Sequence, residues 1–100
     1  MLNEQLNNLL DLCLLELQIT WRDDDTNARV MTHVKNGVDF IKRKCGVSDE
    51  NFSAGSEANA LLLAYVRRAV SGDISTFEAD YLRAILDLQI EFEVNANAAE

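Results

Sequence analysis

The chain has 100 residues, 48% of them hydrophobic, with no proline, 4 glycines and a formal net charge of −8. One compact domain of high helix propensity fits this length and composition, and an all-α bundle is the predicted class. The excess of acids excludes bulk gripping of duplex DNA or an anionic membrane, which Lys and Arg hold by releasing counterions; a basic protein partner, a conduit that DNA passes without sticking, and a merely soluble surface stay open.

The start Met1-Leu2-Asn3-Glu4 carries no basic cluster, and Asp11 and Glu16 interrupt the Leu-rich stretch that follows, so neither a signal peptide nor a membrane span is expected. The first helix is predicted from Asn3 to Gln18, with Leu2, Leu6, Leu9, Leu10, Cys13, Leu14 and Leu17 on one face. Leu12 and Leu15 fall off that face, which allows either a second contact surface or a helix covered on two sides. Cys13 and Cys45 lie far apart in sequence on apolar faces and read as buried free thiols, with the reducing cytoplasm as folding compartment.

The connection Ile19-Thr20-Trp21-Arg22-Asp23-Asp24-Asp25-Thr26 carries a helix start, with Asp25 or Thr26 as cap and the other acids at the positive dipole end; Trp21 is assigned to the core. A calcium loop is not supported, because alternate acids, a central Gly and a closing Glu are missing. The second helix is predicted from Asn27 to Lys44, on the stripe Val30, Val34, Gly37, Val38, Ile41 and Cys45, with Gly46 as a left-handed cap. Gly37 lowers helix propensity by up to about 1 kcal/mol, and a close helix crossing is the natural compensation. Phe40 points off the stripe, to cover a loop or to anchor an interface. Lys42, Arg43 and Lys44 complement the negative dipole end and offer a basic surface to an acidic neighbour.

The polar segment from Val47 to Ser56 is predicted as a long loop anchored by Val47 and Phe52. The third helix, Glu57 to Val70, presents Ala58, Leu61, Leu62, Tyr65, Val66 and Ala69 on one broad face with Leu63 and Val70 nearly opposite, and is expected in the middle of the fold. Ser71-Gly72-Asp73 ends it, and Ser75-Thr76-Phe77-Glu78 reads as a capping box that opens a continuous fourth helix from about Thr76 to Val94. That helix has two apolar stripes: Phe77, Tyr81, Ala84, Ile85, Leu88 and Phe92, and Ala79, Leu82, Leu86 and Ile90. The first suffices for a core. The second either lies under the first helix of a monomer or faces another molecule. The domain is assigned to residues 1–94 and a disordered tail to residues 95–100.

Catalysis is not expected. His33, the one histidine, falls on a polar helix face without a nucleophile motif, and no Gly-rich phosphate loop occurs. Two isolated Cys and one His lack zinc-ligand spacing. Asp80, Asp87 and Glu91 read as a solvated carboxylate ridge, and no cofactor is implied.

Three pieces carry a resemblance: Leu17-Gln18-Ile19-Thr20-Trp21 followed by Asp24, Thr26, Arg29 and Val30; Gly37, Phe40 and Ile41 ending at Cys45-Gly46; and Leu61-Leu62-Leu63-Ala64-Tyr65-Val66-Arg67 followed by Phe77-Glu78, Tyr81, Leu86 and Leu88-Gln89. In order and spacing, from about Leu9 to Val94, the chain resembles the head–tail connector (adaptor) family of long-tailed bacteriophages. The resemblance implies a small bundle of four main helices that assembles as a ring, dodecameric in the virion, beneath the portal protein at the virion neck after folding in the host cytoplasm. It further implies that DNA passes through the lumen without specific binding, that the C-terminal helix and tail hold the portal, and that other surfaces meet the stopper. The segment Phe52-Ser53-Ala54-Gly55-Ser56 departs from the more charged approach to the third helix in that family, so no loop contact is carried over.

On this reading Leu82, Leu86, Ile90, Phe40, Lys42, Arg43 and Lys44 are candidate subunit or portal contacts. Leu6, Leu10, Cys13, Leu17, Trp21, Val30, Val34, Val38, Ile41, Leu61, Tyr65, Phe77, Tyr81, Ile85 and Leu88 form the expected core. The alternative is a small acidic regulatory protein that binds a basic host protein through its carboxylate ridge.

Overall fold

The computed structural model describes residues 2–19, 23–53 and 55–98, with side chains described as far as Glu91; Trp21, expected in the core, lies outside the described residues. Helix α1 (Asn3–Glu16) buries Leu9, Leu10, Cys13 and Leu14, while Leu6 and Leu17 pack against the same core. Leu2 is exposed, contrary to the periodicity, because it is the N-cap residue and its extended backbone leaves the helical register. The helix also stops before its expected end. Gln18 is left-handed, at φ 58°, and the Ile19 amide donates to the Leu14 carbonyl at 2.9 Å, a turn that brings Ile19 onto the core.

Helix α2 (Asp24–Cys45) begins earlier than predicted, and its cap is Asp23 rather than Asp25 or Thr26. The Asp23 carboxylate accepts from the Thr26 amide at 2.6 Å, which leaves Asp24 and Asp25 in the first turn at the positive dipole end. Val30, Val34, Gly37, Val38, Ile41 and Cys45 are buried, and Gly46, at φ 73°, returns its amide to the Lys42 carbonyl.

The long loop is tied down at both ends. Val47 and Phe52 are buried, and a single 3₁₀ turn at Asp49–Asn51 is closed by Asn51 Oδ1, which accepts from the Ser48 amide and hydroxyl at 2.9 and 2.7 Å. Gln5 Nε2 donates to the Asp49 carbonyl at 2.6 Å and Lys42 pairs with the Asp49 carboxylate, so α1 and α2 both hold the turn.

Helix α3 (Glu57–Val70) has the predicted bounds, and Ser56 Oγ caps it by accepting from the Asn59 amide at 3.1 Å. It packs against α1, α2 and the last helix, as a helix in the middle must, and α2 likewise packs against α1, α3 and the last helix. The α2–α3 crossing is close because Gly37 has no side chain: a Cβ there would sit 2.7 Å from Leu62 Cδ1 and 2.8 Å from Tyr65 Cδ1. Leu62, Val66, Val34 and Ile41 are wholly buried around it, and full burial of such side chains stabilises by roughly 1.5–3 kcal/mol each. Asn59 is also buried, with its Oδ1 unbonded among the described residues.

The expected continuous last helix is divided into α4 (Phe77–Asp80) and α5 (Leu82–Ala98). Thr76 forms no capping bond, so the expected capping box is absent. Its hydroxyl instead meets Asp80 Oδ2 at 3.1 Å and accepts from Arg68 Nη1, also at 3.1 Å. Arg68 Nη2 donates to Asp80 Oδ2 at 2.7 Å, and Nη1 approaches the Asp73 carboxylate at 3.4 Å. One guanidinium from α3 thus fixes the α3–α4 turn and all of α4, and the chain shifts at Tyr81, at φ −109° and ψ 18°, before α5 starts. Residues 95–98, expected in the tail, continue α5, and Ala99 and Glu100 lie outside the described residues. The product is an all-α bundle of four main helices, with one core shared by all of them.

Candidate interaction surface

The two apolar stripes of the C-terminal region separate in space. Phe77, Ile85 and Leu88 are buried and Tyr81 is half-buried against the core, whereas Ala84, expected with them, is exposed. Leu82, Leu86 and Ile90 stay 49%, 45% and 57% exposed, so the second stripe does not lie under α1. They recur every four residues and form one ridge along α5. Ala79 of the same stripe is exposed on α4.

Why α5 turns this way follows from its neighbours. Ile85 and Leu88 are held on α2: the Cys45 thiol approaches the Ile85 carbonyl at 3.8 Å, and Gln89 Nε2 donates to the Lys44 carbonyl. At the start of α4, Phe77 closes an aromatic cluster with Phe40, Tyr65 and Tyr81, at centroid distances of 5.8, 5.2 and 4.7 Å. Phe40 is therefore half-buried inside the subunit, where it covers the α4 junction, and only part of it remains for any outside contact. Arg68 lies over the opposite end of this cluster, 5.6 Å from the Tyr81 ring centroid.

The basic end of α2 is largely neutralised within the chain. Lys42 pairs with Asp49 and Lys44 with Glu78 at 3.2 Å, which leaves Arg43 exposed and without an ion pair among the described residues. The carboxylate ridge is also divided. Asp80 turns to Arg68, and this guanidinium, followed by the Thr76 hydroxyl, holds its carboxyl below the usual range. Asp87 and Glu91 turn instead toward Glu57 of α3. The side-chain hydrogen bond with Glu91, then its charge, raises the Glu57 carboxyl above the usual range. Sequence spacing cannot reveal this meeting, because Glu57 and Glu91 belong to different helices.

Glu57 and Asp87 stand at the rim of an open groove of about 310 Å³ between α3 and α5. Ala60, Ala64 and Ala84 leave it wide, and Leu61 and Leu88 form its apolar floor. A second hollow, toward the loop, is shared by Glu57, Leu88 and Glu91; neither is lined by a basic residue.

His33 is half-buried beside Arg29, Thr26 and Val70 in a small hollow near the start of α2. Among the described residues no three His, Cys, Asp or Glu side chains group to hold a metal ion, and no helix is long and apolar enough to cross a membrane. Both cysteines are buried and free, and burial pushes the Cys13 thiol up to about 11. Comparison with protein-family models, curated proteins and solved structures found no match to this chain.

Proposed function

We propose that this chain is a structural head–tail connector of a phage virion, forming a ring on the portal that extends the DNA channel and provides the docking site for the stopper and tail. The observation that carries the reading is the ridge of Leu82, Leu86 and Ile90, left in solvent by a bundle whose core is already filled by other residues. Three aliphatic side chains in one line on a subunit of this charge mark a surface for another protein. The ordered motifs from Leu17 to Gln89 give that protein its proposed identity, the portal or a further copy of the chain. Net acidity suits a lumen that DNA traverses without being held.

The test is Leu86→Asp. Its position is exposed, so the variant keeps its helix content by circular dichroism; the proposal requires that it no longer join portal-bearing particles. Undiminished incorporation contradicts the assignment.

The gathering of Glu57, Asp87 and Glu91 around two adjoining hollows supports the second reading, a small acidic regulator that binds a basic host protein. Native mass spectrometry with portal separates the two: a connector gives portal-bound rings, a regulator none.

A further inference from the structure

The ridge and the groove occupy nearly opposite sides of α5. At 100° per residue, Leu82, Leu86 and Ile90 centre roughly 150° from the mean direction of Ala84, Asp87, Leu88 and Glu91. One surface is convex and apolar; the other is concave, apolar at its floor and acidic at its rim. Arg83 sits beside the ridge, exposed and without an ion pair among the described residues. Each surface therefore carries what the other lacks.

We propose that the α5 ridge of one copy seats in the α3–α5 groove of a second copy, with Leu86 over the Leu61–Leu88 floor between the alanines and Arg83 against Glu57, Asp87 and the adjoining Glu91. This deepens the connector reading and rests on it, since it names the next copy rather than the portal as the occupant of the groove. An incoming guanidinium relieves the repulsion of carboxylates that otherwise face one another across the groove mouth. Because the two surfaces differ, the contact is heterologous, and each seated subunit still offers a free ridge or a free groove for the next; such contacts close as rings or run on as filaments. Three half-exposed aliphatic residues cover far less than the roughly 800 Å² per partner of a standard stable interface. Pairwise association is accordingly weak, and closure of the assembly supplies the rest.

The experiment uses two full-length variants, Leu86→Asp, which removes the ridge, and Ala84→Trp, which fills the groove from an exposed position. Sedimentation velocity follows each alone and mixed, up to concentrations well above those at which the parent chain associates, because a capped dimer has one contact and no ring closure, with circular dichroism to show that both fold. The expected result is that each variant alone is monomeric while the equimolar mixture forms a dimer that grows no further, because one partner supplies the intact groove and the other the intact ridge. Arg83→Glu in the ridge-bearing partner weakens this dimer at least tenfold, and Asp87→Arg with Glu91→Arg in the groove-bearing partner restores it. A parent chain that stays monomeric at every concentration, an Ala84→Trp variant that associates like the parent, or a mixture without dimer each overturns the inference. Failure of the connector reading is scored separately, by whether the parent chain itself enters portal-bearing particles.

Discussion

Gly37→Ala tests the packing on which the rest of the bundle depends. The added methyl carbon would lie 2.7 Å from Leu62 Cδ1 and 2.8 Å from Tyr65 Cδ1, against an ordinary carbon–carbon contact of about 3.5–4.0 Å, so the α2–α3 crossing must open by roughly 1 Å on that side. Neither neighbour yields easily. Leu62 is wholly buried, and the Tyr65 ring is held edge-on to Phe77 and 5.7 Å from Phe40. Overpacking of this kind costs about 1–3 kcal/mol, while removing a mid-helix glycine returns about 1 kcal/mol of propensity. The difference is a net loss of about 0–2 kcal/mol, centred near 1 kcal/mol, and at about 4–8 °C per kcal/mol for a domain of this size the melting temperature falls by several degrees. Urea unfolding followed at 222 nm measures it. A Gly37→Ala variant more stable than the parent refutes the close crossing.

Other consequences follow from single positions. Gln18 is held left-handed without being glycine, so Gln18→Gly raises stability by about 0.5–1 kcal/mol in the same urea assay; a loss shows that its side chain matters more than its backbone. Arg68, with Thr76, depresses the Asp80 pKa; a carboxyl of this kind contributes stability that is complete above its unfolded value near pH 4 and is lost as pH falls through the lower folded value. Asp80→Asn is therefore less stable than the parent at pH 7, with a gap that closes as pH falls through the depressed folded value; an unchanged gap in acid contradicts the Arg68 clamp. Cys13, raised to about 11 by burial, should react with a thiol reagent at pH 8 only as fast as the protein opens; labelling at the rate of a free thiol disproves its burial.

The central helices could be read from the sequence because several local signals agreed there. Val30, Val34, Val38 and Ile41 recur at helical spacing, Gly46 supplies the stop, and the anomaly of Gly37 inside the stripe points to the crossing at Leu62 and Tyr65. The form of α4 depends on Arg68 reaching Asp73, Thr76 and Asp80, a tertiary decision that converts an apparent capping box into part of a clamp. Local pattern likewise put Leu2 on a buried face that its extended backbone avoids, and made Asp80, Asp87 and Glu91 one ridge although Arg68 draws Asp80 away and the other two face Glu57. Within the candidate surface, Leu82, Leu86 and Ile90 were visible as a second stripe; their exposure depends on how Ile85 and Leu88 seat α5 on α2. The groove was invisible, since its walls come from helices separated by the α3–α4 turn.

Electron microscopy of portal-bearing particles prepared with and without this chain tests the connector role most directly. A connector adds ring-shaped density beneath the portal only when the chain is present, and that density is lost with Leu86→Asp. Identical particles with and without the chain would contradict it.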